Sequence, residues 1–258
     1  MPADDAEVAA DQLWAAGASA VGEEPRGGVV VLTADLDACP SSLADWPHHV
    51  ATDDGAWRDG WRPFAKAVVA EPFVVRPPWV AADIGAGQIE LVLDAGRAFG
   101  TGAHPSTTLA LRALATLVPP AAATVLDVGC GSGALAIGAA LLGATRVLAV
   151  DLDPEAVRAT TDNARRNAVD RRVEVAAVAA EETVGSFDVV LANLGAPLVF
   201  DLAGHLLDRL SAQGAVVLSG MLGDLDQRVA AAYPTARIVG RTEDDGWTCT
   251  VLRHVEGG

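Results

Sequence analysis

Downstream of about residue 120 the chain alternates between two hydrophobic periods. Compact apolar runs such as TVLDV, RVLAV, FDVVLANL and GAVVLSGML predict buried strands. Between them, apolar positions recur every three to four residues. These stretches predict helices from about Ala134, over Pro154 to Asn167, over Pro197 to Leu210 and over Asp224 to Tyr233. Asp153 is placed as a helix cap with Pro154 at the first helical position. RRVEVAAV supplies a further strand, and ARIVGR and WTCTVLR two terminal ones. Strands alternating with helices predict an α/β domain.

Upstream the pattern is more broken. Asp4 or Asp5 is placed to cap a helix through Ala16, with Val8, Leu13 and Trp14 among its apolar positions. A short strand near Ser19 to Val21, the turn EEPRGG and the strand GVVVLTADL follow. Pro40 to Trp46 predicts a second helix and His48 to Thr52 a last strand, completing a small α+β module. Trp57, Trp61 and Phe64 then form one helical stripe, assigned to docking between two domains. FVVR and IELVLD are strand-like among the breaks at Pro72, Pro77 and Pro78. Pro105 sits near the start of a helix over Ser106 to Leu117. The boundaries that follow are 1–54 for the small module, 55–90 for a linking helix and strand, and 91–258 for the larger domain.

Candidate chemistry centres on VLDVGCGSGALAIGAA, Val125 to Ala140, and the run VLAVDLD ending at Asp153. A strand that enters alternating glycines, opens a helix and is followed by a second strand ending on a carboxylate is a nucleotide-cradling βαβ unit. Gly129, Gly131 and Gly133 let a ligand approach the backbone and permit positive φ. The following helix directs its unpaired N–H groups at the loop. Asp151, at the tip of the second strand, is placed to accept both hydroxyls of a ribose. The spacing of Gly129, Gly131 and Ala134 also satisfies the loose dinucleotide fingerprint, so a nicotinamide cofactor is the rival reading. Gly133, the preceding Asp127 and the mid-chain position of the unit argue against it.

Composition narrows the partners. With 34 acidic and 18 basic residues the formal net charge is −16, which disfavours direct binding of nucleic acid and would attract a basic protein. Val128 to Thr145 is an uncharged run of membrane-spanning length, but its five glycines argue against a span. MPADDAEVAADQ lacks the basic start and apolar core of a signal peptide. The widely spaced Cys39, Cys130 and Cys249 predict free thiols in a reducing cytoplasm. Cys130 is read as a small loop residue rather than a nucleophile. The histidines have no metal-ligand spacing, so no metal is expected.

The string GRAFGTGAHPSTT, followed by VLDVGCGSGALAI, VDLDPEAV and VLANL, resembles the PrmA family, methyltransferases of a large-subunit ribosomal protein at the stalk base. The resemblance runs from about Trp57 to the C-terminus, and AFGTGxHP is far more specific than the glycine loop. It implies a class I methyltransferase fold, a Rossmann-like, mostly parallel seven-stranded sheet with helices on both faces. A small ferredoxin-like α+β domain would precede it, although no first strand of the β-α-β-β-α-β order stands before the helix here. The implied cofactor is S-adenosylmethionine, with Thr107, Gly129, Asp151 and Asn193 on the family's cofactor-binding positions and Gly131 and Gly133 completing the loop. Phe99 would lie beside the cofactor. His104 is read as a loop-structuring residue, and Glu181 and Glu182 as solvated surface with a place near adenine as the alternative.

The implied reaction is methylation of lysine side chains or an N-terminal amine of a free ribosomal protein, with Asn193 facing the transferred methyl as the catalytic residue. GAPLVF after Asn193 departs from the N-P-P-Tyr signature of glutamine methylation. A lysine methyltransferase for a different protein, an NAD-dependent oxidoreductase and a non-catalytic S-adenosylmethionine-binding module are the alternatives.

Overall fold

The computed structural model describes residues 20–26, 29–35, 65–94, 102–118 and 123–255, with Ala9 and Leu13 as isolated buried helical positions. The chain divides into two compact units, Met1–Gly60 and Trp61–Gly258.

In the first unit, β1 (Ala20–Arg26) and β2 (Val29–Asp35) pair antiparallel, from Ala20 opposite Asp35 to Arg26 opposite Val29. The residues of EEPR, expected in a turn, therefore belong to a strand. Pairing in register outweighs their weak strand propensity, leaving only two residues to make the connection. The expected helix at Pro40 to Trp46, the strand at His48 to Thr52 and the aromatic stripe of Trp57, Trp61 and Phe64 lie outside the described residues.

The second unit carries two sheets. A small one joins β3 (Val68–Ala70), β4 (Phe73–Arg76) and β5 (Ile89–Val92), with β3 antiparallel and β5 parallel to β4. The large one contains β6 (Thr124–Val128), β7 (Arg146–Val150), β8 (Val173–Ala176), β9 (Phe187–Asn193), β10 (Leu210–Leu222), β11 (Ala236–Asp244) and β12 (Trp247–His254). Its order is β11-β12-β10-β9-β6-β7-β8. All of its described pairings are parallel except those of β12, which lies antiparallel between β10 and β11. The mostly parallel seven-stranded sheet implied by the resemblance is present.

Both faces of this sheet are covered, which is why its strands are nearly continuous apolar runs. Successive residues point to opposite faces. Val125, Val189 and Leu191 accordingly join one core with helices α1 (Pro105–Leu117), α2 (Ala134–Leu142) and α3 (Pro154–Arg166). Leu126, Val190 and Ala192 join a second core with α4 (Ala196–Asp201), α5 (Ala203–Asp208) and α6 (Asp226–Ala232). The stretch expected as one helix over Pro197 to Leu210 is two short ones broken at Leu202, and Leu210 already begins β10. Leu210 pairs with Phe187 at the start of β9, and that sheet contact overrides helical periodicity. The terminal strands are longer than expected because Asp245 and Gly246, both at positive φ (49° and 75°), close a two-residue hairpin.

The run Val128 to Thr145 breaks into a strand end, a loop and the nine-residue α2. No helix among the described residues is long and apolar enough to cross a membrane. From β6 the chain moves outward through β7 and β8, then returns to β9 on the other side of β6. The crevice beyond the carboxyl ends of β6 and β9 is thus the topological switch point, where open α/β sheets bind ligands.

Candidate functional site

The glycine loop fills the turn between β6 and α2. Gly129, Gly131 and Gly133 all adopt positive φ, at 72°, 53° and 85°, a conformation that a side chain would strain. At Gly129 a Cβ would also overlap the side chain of Leu194, the residue that follows β9. Gly133 caps α2 without a side chain, so the helix takes a cap from a neighbouring strand. Asp127 Oδ2 accepts the Ala136 N–H at 2.9 Å. Only 1% of Asp127 is exposed. Burial raises its carboxyl to about 7, against the bond from Ala136 and with a further upward push from Asp151.

Asp151 stands just past β7. Its Oδ2 accepts the Gly131 N–H at 2.9 Å and its Oδ1 the Asp153 N–H at 3.0 Å. Two backbone donors thereby fix the carboxylate against the loop. The Asp153 side chain accepts the Glu155 N–H at 2.8 Å and caps α3, with Pro154 in its first turn, as the sequence predicts.

The other wall comes from α1 and β9. His104 is the N-cap of α1: its Nδ1 accepts the Ser106 N–H at 3.3 Å and lies 2.8 Å from Ser106 Oγ. Its ring packs edge-on against Trp247 with centroids 4.5 Å apart, the structuring role expected of it. Ser219 Oγ donates to Ser106 O at 2.9 Å and fastens the start of α1 to β10. So placed, Thr107 Oγ1 accepts from Asn193 Nδ2 at 3.2 Å. Asn193 Oδ1 is buried and has no hydrogen-bond partner, alone in this among the buried side-chain nitrogens and oxygens of the described residues.

Thr107, Gly129, Gly131 and Asn193 meet at one cavity with Asp127, Cys130 and Ser132. Asp151 and Gly133 are not among its lining residues: Asp151 is joined to it through the bond from Gly131, and Gly133 ends the loop as the cap of α2. Phe99 lies outside the described residues. Burial and the nearby Asp127 push the Cys130 thiol upward, away from thiolate reactivity. Sequence reasoning passed over three participants: Leu194 beneath Gly129, and Thr160 and Asn163 on α3 behind the loop. Thr160 Oγ1 donates to Gly131 O and Asn163 Nδ2 to Ser132 O, each at 2.9 Å. The polar face of an amphipathic helix gives no sign of such partners.

A buried amide oxygen without a partner beside a glycine cradle suits a ligand that brings a polar hydrogen to Asn193. A carboxylate held at the second strand tip suits a ribose. Over residues 33–255 the chain matches the family model described as ribosomal protein L11 methyltransferase (PrmA). It is 38% identical over 206 residues to the ribosomal protein L11 methyltransferase of Geobacter sp. (strain M21), covering 76% of this chain and 66% of that one. To that of Syntrophotalea carbinolica it is 42% identical over 199 residues, covering 75% of this chain and 64% of the relative. The chain thus spans about two thirds of the length of these curated relatives. A crystal structure of a ribosomal protein L11 methylase from Lactobacillus delbrueckii subsp. bulgaricus superposes with a TM-score of 0.67 at 29% identity, over 73% of this chain and 98% of that one.

Proposed function

The chain belongs to the ribosomal protein L11 methyltransferase (PrmA) family, and from that premise we propose that it is a protein N-methyltransferase using S-adenosylmethionine. Its acceptors are amines, lysine side chains or an N-terminal amine, of the large-subunit ribosomal protein after which its relatives are named. The observation that carries this reading is the orphaned Oδ1 of Asn193, whose Nδ2 donates to Thr107 in a glycine-lined crevice.

When bound, S-adenosylmethionine supplies a methyl group already activated on a sulfonium, so the protein's task is alignment and exclusion of water. Gly129, Gly131 and Gly133 cradle the amino-acid end, and Asp151 accepts the ribose hydroxyls. Phe99 is assigned beside the cofactor by the family resemblance. Asn193 Oδ1 accepts an N–H of the attacking amine and leaves the nitrogen lone pair free. A lysine has a reference pKa of about 10.4, and only its neutral form attacks. Among the described residues the lining side chains include no histidine or lysine to act as base, and Asp127 is tied to α2, so we assign removal of the proton to solvent.

The net charge of −16 favours a basic protein acceptor over nucleic acid. We assign residues 1–54 to its recognition and place the reaction in the cytoplasm, in keeping with the free thiols of Cys130 and Cys249. The test is incubation with methyl-labelled S-adenosylmethionine and a ribosome-depleted lysate. One labelled basic ribosomal protein, lost on Asp151→Ala, is expected. A labelled protein of another kind would overturn the acceptor, and absence of any labelled protein would overturn the activity. Calorimetric binding of NAD in place of S-adenosylmethionine would instead identify an oxidoreductase.

A further inference from the structure

Helix α3 and its C-cap carry three polar side chains in a row: Thr160, Asn163 and Asn167. Thr160 and Asn163 are fully buried. Asparagine is a poor helix former, and burying an amide is costly unless both of its ends are bonded. Asn167 meets that need by pairing with β5: its Oδ1 accepts the Val92 N–H at 2.9 Å and its Nδ2 donates to Val92 O at 2.7 Å. The second Nδ2 bond of Asn167 stays on its own helix, to Asn163 O at 2.8 Å.

Asn163 repeats the pairing two residues further along the same chain. Its Oδ1 accepts the Asp94 N–H at 3.0 Å and its Nδ2 donates to Asp94 O at 2.9 Å. Arg166 also donates to Oδ1. The second Nδ2 bond differs from that of Asn167, because it leaves the helix for the glycine loop at Ser132 O, 2.9 Å away. Thr160, one turn earlier, holds the adjacent carbonyl of Gly131. A trans peptide directs its N–H opposite to its C=O. With Gly131 O turned toward α3, the Ser132 N–H of the same peptide is turned away from it, and the Gly133 N–H, in the peptide whose carbonyl Asn163 holds, donates to Cys130 O at 2.8 Å and closes the turn.

We propose that Asn163 is a positioning residue for the cofactor, locking the glycine loop to the chain leaving β5 so that the turn around the Ser132 N–H is formed before the ligand arrives. The proposal rests on the reading of this loop as an S-adenosylmethionine site and extends it to a residue that does not touch the ligand. Preorganised donors avoid the cost of ordering the loop on binding.

The test is calorimetric titration with S-adenosylhomocysteine, beside thermal unfolding, of wild type, Asn163→Ala and Asn167→Ala. Both variants lose an amide pairing with the β5 chain, so both are expected to melt earlier by similar amounts. Only Asn163→Ala loses the loop bond, and its affinity is expected to fall about tenfold while Asn167→Ala stays within about twofold of wild type. Wild-type affinity in Asn163→Ala, or equal weakening in both variants, overturns the positioning role. If Asn163→Ala does not fold, Thr160→Val removes the bond to Gly131 O with little change of volume. The same tenfold loss is expected there, and unchanged affinity overturns the proposal. A wild-type protein that binds no S-adenosylhomocysteine removes the cofactor reading itself and this inference with it, an outcome distinct from a wild type that binds and a variant that binds equally well.

Discussion

Asn193 donates through Nδ2 to Thr107 Oγ1 at 3.2 Å, joining the end of β9 to the first turn of α1 across 86 residues of sequence. The bond fixes the amide plane, so that Oδ1 is the end left without a partner.

Replacing Asn193 with Ala removes the acceptor proposed to hold the amine. Turnover is expected to fall by about a hundredfold, the scale on which loss of alignment acts. Thr107→Val keeps the shape but frees the amide to turn, and is expected to cost about three- to tenfold, one neutral hydrogen bond. Labelled-methyl transfer at saturating acceptor measures both. Unchanged turnover in Asn193→Ala with unchanged cofactor affinity would show that the amide plays no part.

Gly129→Ala places a Cβ at a φ of 72° and against the side chain of Leu194. The backbone strain alone is worth about 1–3 kcal/mol. A lower melting temperature and weakened binding of S-adenosylhomocysteine are expected together. Adding Leu194→Ala should recover the part due to overlap but not the part due to φ. Full recovery in the double variant would show that the left-handed conformation costs nothing here.

Asp151 already accepts N–H groups from Gly131 and Asp153, so its position is set before a ribose arrives. A hydrogen bond to a charged acceptor contributes about 1.5–3 kcal/mol. Asp151→Ala is expected to weaken S-adenosylhomocysteine binding by about 10- to 100-fold in a calorimetric titration. Binding within twofold of wild type would remove the carboxylate from the ribose site.

Asp127 makes stability depend on pH. Its carboxyl is raised from 3.8 to about 7 by burial, so between these values the folded state holds a proton that the unfolded state has released. Its contribution to stability is therefore fully present below about pH 4 and declines as pH rises toward 7. Asp127→Asn keeps an oxygen for the Ala136 N–H and removes the ionisation. The variant should melt higher than wild type at pH 8, with the advantage shrinking as pH falls to 5. A constant difference between the two across that range in scanning calorimetry would contradict this assignment.

Much of the site was legible because its signals are local. The three glycines of the loop could be read without coordinates, since glycine takes the positive φ values that they show at the least steric cost. Asp153 and Pro154 announced the start of α3, and Pro105 that of α1, because caps and first-turn prolines act within one turn of chain. Less legible were segments whose local preference lost to pairing: Glu23 to Arg26 joined a strand, and Leu210 left a helix for β10.

The sequence by itself determined the strand and helix order of the α/β unit, the glycine cradle and the carboxylate at the second strand tip, all written in neighbouring residues. Tertiary structure decided how the polar groups were spent. Asn193 and Thr107 meet because β9 ends where α1 begins, and Asn163 reaches Asp94 and Ser132 from 69 and 31 residues away. Asp127 caps a helix to which it does not belong. A polar residue in a sequence has the same composition whether water or a distant carbonyl satisfies it, and only burial, which removes the water, makes the choice.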